Sequence, residues 1–182
     1  HPNAASLLAL AQWIGEQTGA TVGYLTEAAN TVGAQLVNAQ PGQGGLNAAQ
    51  MLAGGLKAAL LLNCEPGPDT AGRMLASGAM VVTLSPFKAN LDISDVLLPI
   101  APFTETSGTF VNAEGRVQSF HAVVRPLGDT RPGWKVLRVL GDLLGIAQLD
   151  SDSSQDVLAQ ALGAATEMVE PGRLSNRTRA PI

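Results

Sequence analysis

The sequence has few of the side chains from which metal and redox centres are built. Among its 182 residues there is one cysteine, Cys64, and there are two histidines, His1 and His121. A single cysteine excludes an internal disulfide and cannot supply the ligands of an iron–sulfur cluster. The sequence also lacks Cys-x-x-Cys, His-Glu-x-x-His and any dense carboxylate cluster. It therefore predicts no metal site.

Aromatic residues and long apolar runs are also scarce. Aromatic side chains make up 4% of a composition that is 46% hydrophobic, so the core must be built from alanine, valine and leucine. No apolar run approaches the roughly 18 residues needed to cross a membrane, and no signal peptide is visible. The formal net charge of −4 gives no reason to expect a nucleic acid partner. Because the sequence starts at His1 without a methionine, we expect a fragment of a longer protein.

Short apolar runs alternate with helical patterns, which is typical of a parallel sheet in an α/β fold. Strands are predicted over Leu56–Leu62, Ala79–Leu84 and Val96–Pro99, and a further short strand over Thr21–Leu25. The run at Leu56–Leu62 is apolar throughout, which indicates a strand covered on both faces. The predicted fold class is a Rossmann-like three-layer α/β sandwich with a mainly parallel sheet and a β-hairpin near residues 109–122.

Helices are predicted from apolar spacing and from residues that commonly begin or end them. The predicted helices are one through Leu7, Leu10 and Ile14 that ends at Gly19, one over Asn30–Val37, one over Ala48–Ala53 capped by Asn47, one from a cap at Asp69 or Thr70 to Gly78, a short one over Lys88–Ile93, one from Pro132 to Leu144, and one beginning at Ser153 and Ser154.

Two regions of different character follow from this pattern. Residues 1–164 are predicted to form one α/β domain, and residues 165–182 a basic, flexible tail. After Pro171 the tail carries Arg173, Arg177 and Arg179 with no acid among them. The alternative for this segment is that it docks on a partner or on another domain of the parent protein.

The stretch from Pro102 to Gln118 is the most distinctive in the sequence. Thr109–Val111 is β-prone, Asn112–Gly115 supplies a turn, and Arg116–Phe120 returns as a second strand. Gly115 suits the turn because glycine takes a positive φ without a Cβ penalty.

This hairpin carries a resemblance to a known family. Asp95–Pro99 followed by Glu105–Gln118 resembles the signature of the molybdopterin oxidoreductase superfamily. A second set, Glu27–Ala34, Pro41–Ala48 and Cys64–Pro66, is similar to the family of large iron–sulfur subunits of NADH-quinone oxidoreductase, which is respiratory complex I. The resemblance covers most of the sequence, to the helix that ends near residue 144.

The resemblance implies a structural or interaction domain that supports electron transfer from NADH to quinone without chemistry of its own. It implies no cofactor in this piece, with iron–sulfur clusters elsewhere in the parent subunit. The implied partners are other domains of that subunit and other peripheral-arm subunits, in a complex attached to the cytoplasmic side of the inner membrane. The alternative is a molybdopterin guanine dinucleotide-binding domain of a molybdenum or tungsten oxidoreductase such as a formate dehydrogenase.

Ligands of such sheets bind at the loops that follow the carboxyl ends of the strands. The loop Asn63–Thr70 follows a predicted strand and opens a helix, and in the resembling enzymes it lies against the guanosine part of the cofactor. Here, however, Glu65 and Asp69 would place like charge beside a diphosphate, and no cation follows until Arg73. With Asp69 expected to cap the helix, the favoured interpretation is a structural turn.

The remaining candidates are weaker. Pro41–Gly45 is glycine-rich but lacks a phosphate-loop motif, and Ser85–Lys88 offers one hydroxyl and one cation. Glu114 and Arg116 are expected to form a local ion pair, and Cys64 reads as a small residue at a strand end. Glu105, like Glu114 and Arg116, suggests acid–base chemistry, but the favoured interpretation of the hairpin is structural. Thr106, Ser107 and Thr109 have no histidine close in sequence to activate them, and His121 is expected on the surface. No catalytic, cofactor-binding or metal-binding residue is assigned.

Overall fold

The computed structural model describes residues 3–163 except for residues 24, 27 and 148. The helices are α1 (Ala4–Thr18), α2 (Thr31–Leu36), α3 (Ala48–Leu52), α4 (Pro68–Ala76), α5 (Gly133–Leu143) and α6 (Ser154–Leu162), with a short 3₁₀ helix at Phe103–Glu105. The strands are β1 (Ala58–Leu62), β2 (Met80–Ser85), β3 (Val96–Pro99), β4 (Gly108–Val111) and β5 (Val117–Phe120).

The chain divides into two compact units. Unit 1 contains the described residues up to Ala39 together with Phe110–Gln118. Unit 2 contains Gln40–Thr109 and Ser119–Gly163.

Unit 2 is built on a parallel sheet in the order β1-β2-β3. Ala58 pairs with Met80 at one end of β1, and Leu62 pairs with Leu84 at the other. Each strand is apolar, and the parallel connections run through α4 and through the turns before β3. The predicted mixed α/β fold with a mainly parallel sheet and a separate hairpin is confirmed.

Exposure differs between the edge strands and the central strand of this sheet. Side chains that share a register position point to the same face, so Leu60 and Leu62 lie on the same face as Leu98. These three side chains are 46%, 43% and 41% exposed. The central strand β2 is buried: Val81, Thr83 and Leu84 are 1%, 0% and 0% exposed, although Leu84 lies on the same face as Leu60. The expectation that the first strand is covered on both faces is therefore wrong.

The start of α5 lies at the carboxyl end of the sheet. Ile100, directly after β3, forms a parallel bridge with Arg131, and the Ala101 N–H donates to the Arg131 carbonyl over 2.9 Å. A Cβ placed on Gly133 would lie 3.2 Å from Leu62 Cδ1 and 3.4 Å from Ile100 Cδ1. Glycine at this position lets the first turn of α5 approach the sheet.

In unit 1, Asn30 connects the segment before α2 to the hairpin. The Asn30 side-chain oxygen accepts a hydrogen bond of 2.8 Å from the Val111 N–H in the hairpin. A Cβ at Gly33 would overlap the Asn30 carboxamide, so the glycine makes room for it. Asn30 and Gly33 thus fix the tip of the hairpin against the segment before α2.

Some predicted elements take a different form. No strand forms at the described positions of Thr21–Leu25, and no described strand pairs with them. Lys88–Ile93 forms consecutive turns, with Ile93 N–H donating to the Asn90 carbonyl, and not a helix. The caps at Asn47 and Ser153 are confirmed, and each forms a reciprocal capping box. Gly19 ends α1 in the left-handed region as predicted.

The predicted basic tail at residues 165–182 lies outside the described residues. Among the helices of the described chain, none combines the length and the apolar character that crossing a lipid bilayer would require.

Candidate functional site

The first candidate site is the carboxyl edge of the parallel sheet, where the loops after β1 and β2 meet. Asn63 leaves β1 with a φ of 48°, a value that asparagine tolerates better than most residues. Its N–H donates to the Leu84 carbonyl over 3.0 Å. This turn directs the loop Asn63–Thr70 across the end of the sheet towards α4.

A buried asparagine ties the two loops together. Asn90 is 5% exposed, and its side-chain amide donates to the Cys64 carbonyl over 2.7 Å. Its own carbonyl accepts from the Ser94 hydroxyl at 2.7 Å. Since the Ser94 proton is used there, the 2.7 Å contact between Thr83 and Ser94 has Thr83 as donor. The carboxyl edge is thus closed by a continuous chain of hydrogen bonds from β2 to the loop after β1.

The start of α4 differs from the sequence-based expectation. The N-cap is Gly67, followed by Pro68 at the first helical position, and no side chain caps the helix. The prediction that Asp69 or Thr70 caps α4 is wrong because Pro68 begins the helix earlier, which suits a residue with no N–H. Asp69 instead lies inside the first turn, where its negative charge is favourable to the helix dipole.

The charges at this edge are acidic. Glu65 and Asp69 are both exposed, whereas Arg73 lies in the last turn of α4. In the next loop the Ser85 hydroxyl accepts from the Phe87 N–H at 3.1 Å, and Lys88 is exposed. A diphosphate at this edge would therefore be repelled by two carboxylates near the start of α4. The main favourable interaction would come from the helix N–H groups that no side chain caps.

The hairpin signature is satisfied by local hydrogen bonds. The Asn112 side-chain oxygen accepts from the Glu114 and Arg116 N–H groups at 3.0 and 2.9 Å, which closes the turn. Gly115 has a φ of 85°, as the turn requires. The expected ion pair between Glu114 and Arg116 does not form; in the described part of the chain the ion pair is Arg138–Asp152, at 3.0 Å.

The base of the hairpin is also explained by packing. A Cβ at Gly108 would overlap the Phe120 ring, so glycine lets β5 close against β4. The Thr109 and Ser119 hydroxyls are 3.0 Å apart across the strands. Glu105 accepts from the Leu127 N–H at 3.0 Å and so anchors the loop that follows β5. His121 is exposed and follows directly after β5.

The second candidate site is a groove of about 550 Å³ in unit 2, which was not predicted from the sequence. Its lining includes three cations, Arg125, Arg131 and Lys135, beside Trp134. Arg125 and Arg131 lie in the stretch that joins the hairpin to α5, and Trp134 and Lys135 lie in the first turn of α5. The bridge between Ile100 and Arg131 is what brings that stretch to the segment Glu105–Ser107. A cluster of cations in an acidic protein is the one sequence signal that could have indicated it.

The side chains for metal or thiol chemistry do not assemble. Over residues 3–163, apart from the three positions not described, no group of three or more His, Cys, Asp or Glu side chains could hold a metal ion. Cys64 is exposed, and its backbone carbonyl accepts the hydrogen bond from the Asn90 side chain.

With this geometry in hand, comparison with known proteins identifies the family. A model of the molybdopterin oxidoreductase family matches residues 1–143. The chain belongs to the molybdopterin oxidoreductase family. The match contains the parallel sheet, the hairpin and the whole of α5.

Similar proteins of two kinds match segments of this chain. The mitochondrial NADH-ubiquinone oxidoreductase 78 kDa subunit of Candida albicans is 45% identical over 64 residues, which is 35% of this chain and 9% of the relative. Putative formate dehydrogenases of Staphylococcus aureus strains USA300 and NCTC 8325 are each 42% identical over 52 residues, 29% of this chain and 5% of each relative. The matched segments thus span a small part of these longer proteins.

Proposed function

We propose that this chain is a structural and interaction domain of the large iron–sulfur subunit of an NADH-quinone oxidoreductase. In this proposal the domain binds no cofactor, and iron–sulfur clusters elsewhere in the parent subunit carry electrons from NADH towards quinone. Its partners are the other domains of that subunit and other peripheral-arm subunits, on the cytoplasmic side of the inner membrane. The similarity to the 78 kDa subunit supports this assignment.

The observation that carries the proposal is the chemistry of the carboxyl edge. A guanine dinucleotide cofactor brings a diphosphate, which proteins bind with cations and backbone N–H groups. Here Glu65 and Asp69 present two exposed carboxylates instead. Asn90 also draws the loop after β1 onto the loop after β2. These residues fit a closed structural edge better than a diphosphate site.

A second function has an observation of its own in its favour. The start of α4 has no side-chain cap, so its first N–H groups are available to an anion. Together with the similarity to the putative formate dehydrogenases, this supports a cofactor-binding domain of a molybdenum or tungsten oxidoreductase.

Purification of the intact parent protein from its own host, carrying an affinity tag, distinguishes the two functions. We expect NADH-dependent quinone reduction, bound iron, and other subunits of the same complex, with no stoichiometric molybdenum or tungsten by elemental mass spectrometry. The iron measurement is the internal control, because it shows that metal centres survived purification.

The opposite result would be stoichiometric molybdenum or tungsten together with formate-dependent dye reduction. That result would reject the structural role and select the cofactor-binding domain.

A further inference from the structure

Strand β1 forms one edge of the parallel sheet, and β2 is its neighbour on the inner side. The two ends of this pairing show which backbone groups of β1 it uses. The Met80 N–H donates to the Lys57 carbonyl at one end, and the Asn63 N–H donates to the Leu84 carbonyl at the other, each over 3.0 Å. In a parallel ladder the residues that bond to the neighbour alternate with residues that point away from it. The odd-numbered residues of β1 therefore face β2, and the backbone N–H and C=O of the even-numbered residues face the free edge. These even-numbered residues are Ala58, Leu60 and Leu62.

The outward-facing backbone groups of β1 have no hydrogen-bond partner in the part of the chain that the structure describes. The strand also lacks the features that normally protect an edge from pairing. It contains no charged residue, proline or glycine, and its register with β2 runs without a bulge from Ala58 to Leu62. The nearest charge is Lys57, directly before the strand. A regular, apolar edge of this kind is a template for a further strand.

The opposite edge of the sheet already carries part of another pairing. Directly after β3, Ile100 forms a parallel bridge with Arg131, and the Ala101 N–H donates to the Arg131 carbonyl over 2.9 Å. Among the described residues, β1 has no bridge of this kind on its outer side. The chain therefore supplies its own neighbour at the end of β3 and leaves the edge at β1 open.

The side chains of β1 are also incompletely covered. Exposed and half-buried positions alternate along the strand, and the exposed positions are those whose backbone groups face the free edge. Leu60 and Leu62 are 46% and 43% exposed. An apolar strand beside β1 would bury part of this surface as well as pair with the backbone, and burial of apolar surface favours association.

We propose that β1 pairs with a further apolar strand, which belongs to the parent protein and lies outside these 182 residues. The similar proteins of both kinds are far longer than this chain, since the matched segments make up 9% and 5% of them. A strand of the same polypeptide is held near β1 at a high effective concentration, so a short pairing suffices. The inference deepens the structural role proposed above by naming the surface involved, and it rests on that role only in placing the chain within a longer parent.

Two other occupants fit the edge less well. Residues 164–182 carry three arginines, two prolines and no apolar run longer than two residues, which is a poor composition for a strand. A second copy of the chain would contribute the five residues of its own β1. Stable interfaces between proteins use about 20–30 residues a side, so this pairing alone would be too small.

Hydrogen exchange of the 182-residue protein, followed for individual amides by NMR, tests whether the edge is free. We expect the amides of Leu60 and Leu62 to exchange at least about tenfold faster than those of Leu61 and Asn63, which face β2. The odd-numbered amides are matched internal controls, because they lie in the same segment and differ in the side to which they point. Equal exchange rates in the two sets would contradict this alternation and overturn the proposal.

The intact parent protein tests the identity of the occupant. Hydrogen exchange with mass spectrometry should show the Leu60 and Leu62 amides exchanging at least about tenfold more slowly than in the 182-residue protein. A photoreactive amino acid in place of Leu60 should cross-link to a segment of the parent outside these 182 residues. The same group in place of Leu75, which is 53% exposed on α4, is the control and should not cross-link to that segment.

Unchanged fast exchange in the parent would overturn the proposal. Cross-links from position 60 to a second copy, to a different subunit, or only within these 182 residues would overturn it as well. Neither measurement depends on electron transfer. Failure of this inference is therefore distinguishable from failure of the proposed function, which is judged by quinone reduction and metal content.

Discussion

The edge strands and the central strand of the β1-β2-β3 sheet are both largely apolar but lie in different environments. On the edge strands, Leu60, Leu62 and Leu98 each have about two-fifths or more of the residue exposed. On the central strand, Val81, Thr83 and Leu84 are almost completely buried, although Leu84 lies on the same face as Leu60. Parallel sheets are normally covered on both sides. The difference shows that an apolar composition does not by itself decide whether a strand is buried, because the position of the strand in the sheet also matters.

The central strand carries the strongest test of this comparison. Leu84 is fully buried, whereas Leu60 on the same face is 46% exposed. We expect Leu84→Ala to lower the free energy of unfolding by about 2–5 kcal/mol, from lost burial and the remaining cavity. Leu60→Ala should cost less than about 1.5 kcal/mol. Urea unfolding followed by circular dichroism measures both. Equal losses would show that the face is covered in solution and would remove the contrast.

A smaller effect is expected in the segment that follows the buried central strand. Asn90→Ala removes the amide that donates to the Cys64 carbonyl at 2.7 Å and opens space at a site that is 5% exposed. We expect a loss of about 1–3 kcal/mol in the free energy of unfolding. Lys88→Ala, at an exposed position in the same segment, is the control and should stay within about 0.5 kcal/mol. If both variants behave alike, the link between the two loops contributes nothing to stability.

The elements that depend on local signals could be predicted from the sequence. Asn47 and Ser153 both precede a residue that can return the capping hydrogen bond, and both form reciprocal boxes. The hairpin turn at Asn112–Gly115 is likewise predictable, because asparagine and glycine meet its backbone requirements locally.

The features that depend on distant residues could not be predicted. Thr21–Leu25 has strand-forming side chains, but its described positions pair with no strand among the described residues, and a strand needs a partner. The open face of β1 depends on what packs above it and not on its own apolar run. The groove lined by Arg125, Arg131 and Lys135 includes the segment after β3, which the Ile100–Arg131 bridge holds beside Arg131, and sequence spacing does not encode that bridge.

The capping box of α6 shows what similar hydrogen bonds contribute where water competes. Hydrogen bonds from the Ser153 side chain and backbone hold the pKa of Asp156 below its ordinary value of 3.8. Because the folded pKa of Asp156 is lowered, its stabilising contribution is complete above the ordinary pKa and is lost as the pH falls through the folded pKa.

Ser153→Ala should lower the free energy of unfolding by about 1 kcal/mol at neutral pH. The gap between the wild type and Asp156→Asn should shrink on acidification, as followed by urea midpoints at successive pH values. A gap that does not change with pH would show that the Asp156 charge contributes nothing to the stability of the cap.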